Sequence, residues 1–301
     1  MSPVPRAATP PVFVTGMHRS GTTMLVNLLT RLGGFFGSRL DPNTEDFFFM
    51  RRNEWVLRRA GGAWDYPLPA KRFLAFERFF EDALDLLRHD VASPRFGDFS
   101  GGRALDGAWG FKDPRNVFTL GLWTRVFPGA RLVYIRRNGV DAANSLFVRE
   151  RARWRERGET GYLRIRPLMG RWRDALKSTE SFEPYLLSTR CLTLEDSFAL
   201  WEEYVGEGEQ VFDAFDGPKL ALGYEAFIAE PEQLEAVARF CGLAPAPGAV
   251  AAAVAHIDRA RSFAFVHDPA LREFYEKVRG TRHMQALGYG EITGAMAKDR
   301  A

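Results

Sequence analysis

The apolar, β-rich run Pro11-Val-Phe-Val-Thr15 leads into Gly16-Met-His-Arg-Ser-Gly-Thr-Thr23. From there the chain enters Met24-Leu-Val-Asn-Leu-Leu-Thr-Arg-Leu32, whose apolar residues recur at helical spacing. A strand that turns through a glycine-bounded loop into a helix constrains the fold strongly, because it is the opening half of a βαβ unit. A second such unit runs from Arg131-Leu-Val-Tyr-Ile135 through Arg136-Arg-Asn-Gly139 into a helical pattern with Ala142, Ala143, Leu146 and Phe147. Between them, Gly107 to Phe111 leads into Lys112-Asp-Pro-Arg115 and a helix over 116–127 that stops at Pro128-Gly129. Farther on, Lys219-Leu-Ala-Leu-Gly223 reads as a strand, and a helix starts at Pro231 and stops at Gly242. Strands alternating with helices predict an α/β fold: three layers, with a central parallel sheet flanked by helices. Residues 46–90 and 150–215 lack strand signals and are expected to form helical lobes on one side of a single domain spanning 1–301, with residues 1–10 a flexible N-terminus.

Composition narrows the class. With 46% hydrophobic and 26% charged residues the 301-residue chain is globular. Two cysteines cannot make a disulfide framework, and the N-terminal MSPVPRAATPP lacks the apolar core of a signal peptide, so the expected compartment is the cytoplasm. No apolar run approaches the roughly 18 residues of a spanning helix. The net charge of +3 is too small to argue for nucleic acid, but residues 131–173 hold twelve arginines against four acidic residues, which favours an anionic ligand there or a solvated basic face.

The first loop, Gly16-x-x-x-x-Gly21-Thr-Thr23, has the spacing of a phosphate-binding loop, with backbone N–H groups and the positive end of a helix presented to an anion. Thr22 stands where nucleoside triphosphatases require lysine, which weakens a kinase reading. The stretch Thr15-Gly-Met-His-Arg-Ser-Gly-Thr-Thr23 resembles the 5′-phosphosulfate loop of sulfotransferases that use 3′-phosphoadenosine 5′-phosphosulfate (PAPS), in the arginine-containing form of the bacterial and tyrosylprotein branches. The resemblance implies a P-loop-like fold and an enzyme that passes the sulfuryl group of PAPS to a hydroxyl or amine by in-line displacement. It implies that Arg19, Ser20, Gly21, Thr22 and Thr23 hold the 5′-phosphate, with Arg19 also facing the bridging oxygen. Arg137 and Ser145, eight residues apart, match the family's 3′-phosphate pair. Lys112 in Lys112-Asp-Pro matches the lysine aimed at the sulfuryl group, Tyr224 in Gly223-Tyr-Glu the tyrosine near the adenine, and Arg279-Gly280 the late loop over the 3′-phosphate.

For the base that takes the acceptor's proton, Glu45 is the nearest carboxylate in the expected region. Asp46, Glu54 and His89 could also serve, and a helix-start role for Glu45 is the competing reading. His18 reads as structural, and Phe47 to Phe49 with Trp55 and Trp64 as core or pocket wall. No metal site is legible. The expected acceptor is a small molecule, a glycan or a lipid-linked compound, with no nucleic acid partner. Two different functions compete with this one: a small-molecule kinase on the same loop, and a nucleotide- or polyanion-binding protein without turnover.

Overall fold

The computed structural model describes residues 8–159, 188–255 and 257–292, with side chains in the first stretch followed to 156. Among these residues, four strands form one parallel sheet in the order β2-β1-β3-β4: β1 (Val12–Gly16), β2 (Gly110–Lys112), β3 (Arg131–Arg136) and β4 (Lys219–Gly223). The register pairs Val14 with Lys112 on one side of β1 and Gly16 with Ile135 on the other. All four carboxyl ends therefore open on one edge. The strands on either side of β1 are reached by connections running in opposite directions, so β1 is the topological switch point, where open α/β sheets form their crevice.

The α-helices of the described residues, in chain order, are α1 (Thr22–Arg31), α2 (Phe47–Arg59), α3 (Leu68–Leu74), α4 (Glu77–Ala92), α5 (Phe96–Ser100), α6 (Asn116–Val126) and α7 (Gly139–Glu159). They continue with α8 (Leu194–Ala214), α9 (Tyr224–Ala229), α10 (Leu234–Phe240), α11 (Ala249–Val254), α12 (Pro269–Val278) and α13 (Arg282–Ala286). The expected lobe at 46–90 is α2 to α4. Of the lobe at 150–215, α8 and the end of α7 are seen, and residues 160–187, with Arg164, Arg166, Arg171 and Arg173 of the basic run, lie outside the described residues. Residues 1–7 of the expected flexible terminus also lie outside them. Ala8 and Thr9 are instead pinned: both backbone N–H groups donate to Leu105 O, and the Thr9 hydroxyl donates to Gly107 O at 2.6 Å.

Alternation along the strands produces the layers. Phe13, Phe111 and Leu132 face a cluster with Phe49, Leu84, Phe99 and Trp123, from α2, α4, α5 and α6. Val12, Val14, Val133 and Ile135 face the opposite cluster with Leu25, Leu29, Leu234 and Val237, from α1 and α10. Strands buried on both sides need continuous apolar runs, and β1 and β3 supply them. A third cluster, with Val140, Leu146, Trp201, Tyr204, Phe274 and Tyr275, joins α7, α8 and α12. Among the described residues no helix is long and apolar enough to cross a membrane.

Candidate active site

At the carboxyl edge, a cavity of about 290 Å³ collects residues from every strand end: Arg19 and Thr22 after β1, Lys112 at the end of β2, Arg137 after β3 and Tyr224 after β4. Sequence-distant pieces meet here because a parallel sheet delivers all its strand-to-helix turns to one edge.

The first loop is built for close backbone approach. Arg19 lies in the left-handed region at φ 70° and Gly21 at φ 100°. A Cβ at Gly21 would sit 2.5 Å from the Tyr224 ring, so glycine is required by space as well as by dihedral angle. Helix α1 has no side-chain cap, and its first hydrogen bond in from the loop is Leu25 N to Gly21 O, which leaves the N–H groups of the first turn directed at the cavity. Thr23 Oγ1 donates to Asn43 O at 2.8 Å, tying the loop to the segment before α2. Ser20 Oγ is buried with no hydrogen-bond partner among the described residues.

Around the loop stand the guanidinium groups of Arg19, Arg137, Arg149 and Arg261. Arg19 Nε donates to Ser145 Oγ at 2.9 Å, so Ser145 sits beside the first loop. Arg137 donates to Arg19 O at 2.9 Å and to Arg261 O at 2.7 Å, and its guanidinium lies 4.4 Å from the centre of the Tyr224 ring. The buried Arg137 Nε and Arg149 Nη2 have no partner among the described residues. Burial, and then the neighbouring charges of Arg149, Arg137 and Arg261, lower Arg19 to about 10, still a cation at neutral pH. Clustered guanidiniums with unused donors beside a bare helix N-terminus form a site that an anion would relieve.

The cavity wall beside Lys112 is a buried ion network. Glu45 Oε1 accepts from Lys112 Nζ at 2.8 Å, and Oε2 accepts from Arg115 Nη2. Arg115, fully buried, is in turn held by Asp113 at 2.8 Å and lies 3.4 Å from Glu54. Asn53 on α2 links the pieces, donating to Asp113 and Asn116 and accepting from Thr119 and Trp123. Glu45 is thus not the helix-start carboxylate. That part belongs to Asp46, whose Oδ1 accepts from Phe48 N at 2.8 Å and caps α2. Neither Glu54 nor His89 lines the cavity: Glu54 is buried against Arg58 and Arg115, and His89 is exposed on α4. His18 lines the cavity with its ring edge-on to Trp64 and Tyr204, and burial, followed by the charges of Arg149, Arg115, Lys112 and Arg19, holds it well below its ordinary value and so neutral. Phe48, Phe49 and Trp64 are core, whereas Trp55 is exposed.

A model of the sulfotransferase family matches residues 10–247, well over half of the chain. The chain belongs to the sulfotransferase family. It is an enzyme that takes the sulfuryl group of PAPS and passes it to an acceptor, and the kinase reading is not supported. Among solved structures, it is similar to a sulfotransferase from Alicyclobacillus acidocaldarius at 15% identity, over 96% of this chain and 99% of that one, with a TM-score of 0.48. It is also similar to sulfotransferase STF1 from Mycobacterium tuberculosis H37Rv at 16% identity, over 97% and 76% of the two chains, with a TM-score of 0.42. A retinol dehydratase in complex with androsterone and the inactive cofactor PAP matches at 17% identity, over 86% and 68%, with a TM-score of 0.39. No curated protein matches.

Arg19, Gly21, Thr22, Thr23, Glu45, Lys112, Arg137 and Tyr224 line the cavity of this sulfotransferase, Ser145 is bound to Arg19 beside it, and Ser20 is buried within the loop. Arg279 does not: it pairs with Glu276 at 2.7 Å, and the late-chain arginine that lines the cavity is Arg261. Arg261 is brought there by Asp141 on α7, which accepts from Ala264 N and Phe265 N and so anchors the segment that follows it. That contact spans more than a hundred residues, and no local pattern announces it.

Proposed function

We propose that this cavity holds PAPS and that the enzyme works as one domain. The observation that carries the reading is the meeting, at one sheet edge, of the bare N-terminus of α1, Ser20 and the guanidiniums of Arg19 and Arg137, with hydrogen-bonding atoms still unused. The N–H groups and hydroxyls of Ser20, Thr22 and Thr23 suit the 5′-phosphate, and Gly21 lets the backbone come close. Arg137 and Ser145 suit the 3′-phosphate, with Arg149 and Arg261 adding charge and Tyr224 offering its ring beside Arg137.

PAPS supplies the sulfuryl group, and the chain supplies position and charge. Sulfuryl transfer, like phosphoryl transfer, places attacking and leaving oxygens in line and leaves the protein little covalent chemistry to do. Arg19 stabilises the negative charge that grows on the bridging oxygen, which a fixed cation does best in the transition state. Lys112 serves the sulfuryl oxygens, and Glu45, fixed beside it, receives the proton of the acceptor hydroxyl or amine. The Lys112 contact both orients Glu45 and occupies one of its oxygens, so Lys112 must turn from Glu45 toward the donor as the site fills. The mechanism needs no metal. Asn27, Pro42 and Asn43 line the same cavity and border the acceptor's approach. The acceptor is a small molecule, a glycan or a lipid-linked compound.

Native mass spectrometry of the purified protein tests the reading: bound 3′-phosphoadenosine 5′-phosphate is expected, together with transfer of ³⁵S from labelled PAPS to one member of a panel of alcohols, phenols, sugars and amines. Preferential retention of ATP, with Mg²⁺-dependent phosphoryl transfer, would overturn it.

A further inference from the structure

From the structure we infer that the α2–α4 lobe docks on an anionic lipid surface. The turn from α3 into α4 leaves an apolar shelf in water. Tyr66, Phe76 and Phe79 are 58%, 63% and 44% exposed, and Leu68 and Trp55 are also exposed. Phe79 stacks on Phe73 at 4.4 Å and meets Phe76 edge-on at 6.0 Å, so the rings form one block rather than scattered residues. Tyr66, Leu68, Phe73, Phe76 and Phe79 line a shallow hollow of about 330 Å³ that also includes Arg72. A contiguous exposed apolar block of this kind marks a contact surface.

Charge decides what it contacts. Across the α2–α4 lobe, residues 47–92, the exposed charged side chains are Arg51, Arg58, Arg59, Lys71, Arg72, Arg78 and Arg88 against Glu77, Asp82 and Asp85. Arg58, Lys71 and Arg88 are held by Glu54, Glu207 and Asp85, and the Arg51 and Arg59 guanidiniums lie 5.7 and 5.6 Å from the Phe47 and Trp55 rings, while Arg72 and Arg78 flank the phenylalanines. Phenylalanines that can enter the acyl boundary, flanked by arginines whose heads can meet phosphate, are the chemistry of a peripheral contact with acidic headgroups. The lobe also sits well for this. Helix α2 starts two residues after Glu45 and reaches Arg59, next to the hollow, so its thirteen residues place the shelf about 20 Å from the acceptor side of the site. On the proposed transfer reading, docking would bring the cavity to a membrane-embedded acceptor. The binding itself does not depend on that reading.

Co-sedimentation of the full chain with phosphatidylcholine vesicles, with and without phosphatidylglycerol, tests the inference. Binding is expected to the anionic vesicles, falling with added salt. Phe76→Ser with Phe79→Ser should abolish it, and Arg72→Glu with Arg78→Glu should weaken it on the order of tenfold or more, at roughly fivefold per positive charge lost. Both variants alter exposed side chains, and unchanged thermal unfolding would show that neither acts through the fold. Three results would overturn the inference: no binding to anionic vesicles, binding that both variants retain, or concentration-dependent self-association abolished by the phenylalanine variant without vesicle binding. The last would make the shelf a contact between copies. Failure of sulfuryl transfer with vesicle binding intact would count against the catalytic reading alone.

Discussion

Glu45 shows most clearly what a single residue adds to the sequence. From the sequence it is one carboxylate among several, because nothing local shows which will be buried beside Lys112, 67 residues away. The loop residues Arg19 to Thr23 are legible since their spacing is itself the chemistry, whereas Arg261 is not, since its position rests on the contact between Asp141 and the segment after it. If Glu45 takes the acceptor's proton, Glu45→Gln should keep PAPS affinity and lose about 10²-fold or more in turnover, because the amide retains the shape but accepts no proton at neutral pH. Single-turnover kinetics at saturating PAPS measure this, and a variant that turns over normally would move the base elsewhere. Lys112 and Arg115 lose a charge partner in the same variant, so thermal unfolding should be followed in parallel: leaving buried charges uncompensated costs about 3–5 kcal/mol when one partner of such a pair is removed. For Arg137, the expected loss on substitution by alanine is about 1.5–3 kcal/mol of binding, the worth of a hydrogen bond to a charged group. It should fall on nucleotides that carry the 3′-phosphate and spare those that lack it, a comparison calorimetry makes directly. Equal losses for both would remove Arg137 from that role.

At the scale of elements, the strands and most helices are legible in the chain because apolar runs and glycine or proline stops coincide, as at β3 and at the end of α6. The start of α2 is harder to read, since Asp41, Glu45 and Asp46 crowd one short loop and any of them could serve the helix. The structure resolves it through burial. Asp46, nearly inaccessible, caps α2, and burial pushes its carboxyl up to about 7. The native state therefore keeps a proton that the unfolded chain releases near the ordinary value of 3.8, and the contribution of this group to stability falls as pH rises through that window until both states are ionised. Asparagine caps a helix about as well and carries no charge. Asp46→Asn should therefore gain stability relative to the parent as pH is raised from about 4 to 8. Urea unfolding at a series of pH values tests the sign, and a difference that shrinks toward high pH would contradict it.

Over the whole molecule, the site exists only when the sheet does, because its parts come from four strand ends and from the segment that Asp141 ties to α7. A nucleotide that bridges these parts binds the folded chain and finds no site in the unfolded one, so it must raise the unfolding temperature by mass action. At a concentration 100 times its dissociation constant the gain is about 2.7 kcal/mol, which for a chain of this size corresponds to a few degrees. The choice of nucleotide carries the argument. The first loop alone could accept any 5′-phosphate, whereas on the proposed reading Arg137 and Ser145 answer to a second phosphate on the ribose. Thermal unfolding with 3′-phosphoadenosine 5′-phosphate should therefore show a larger shift than with adenosine 5′-phosphate at equal concentration, and the excess should shrink in Arg137→Ala. ATP with Mg²⁺ should not match it, because Thr22 occupies the position from which a lysine would reach the outer phosphates. Equal shifts for the two nucleotides would mean that the clustered guanidiniums answer to something other than the 3′-phosphate.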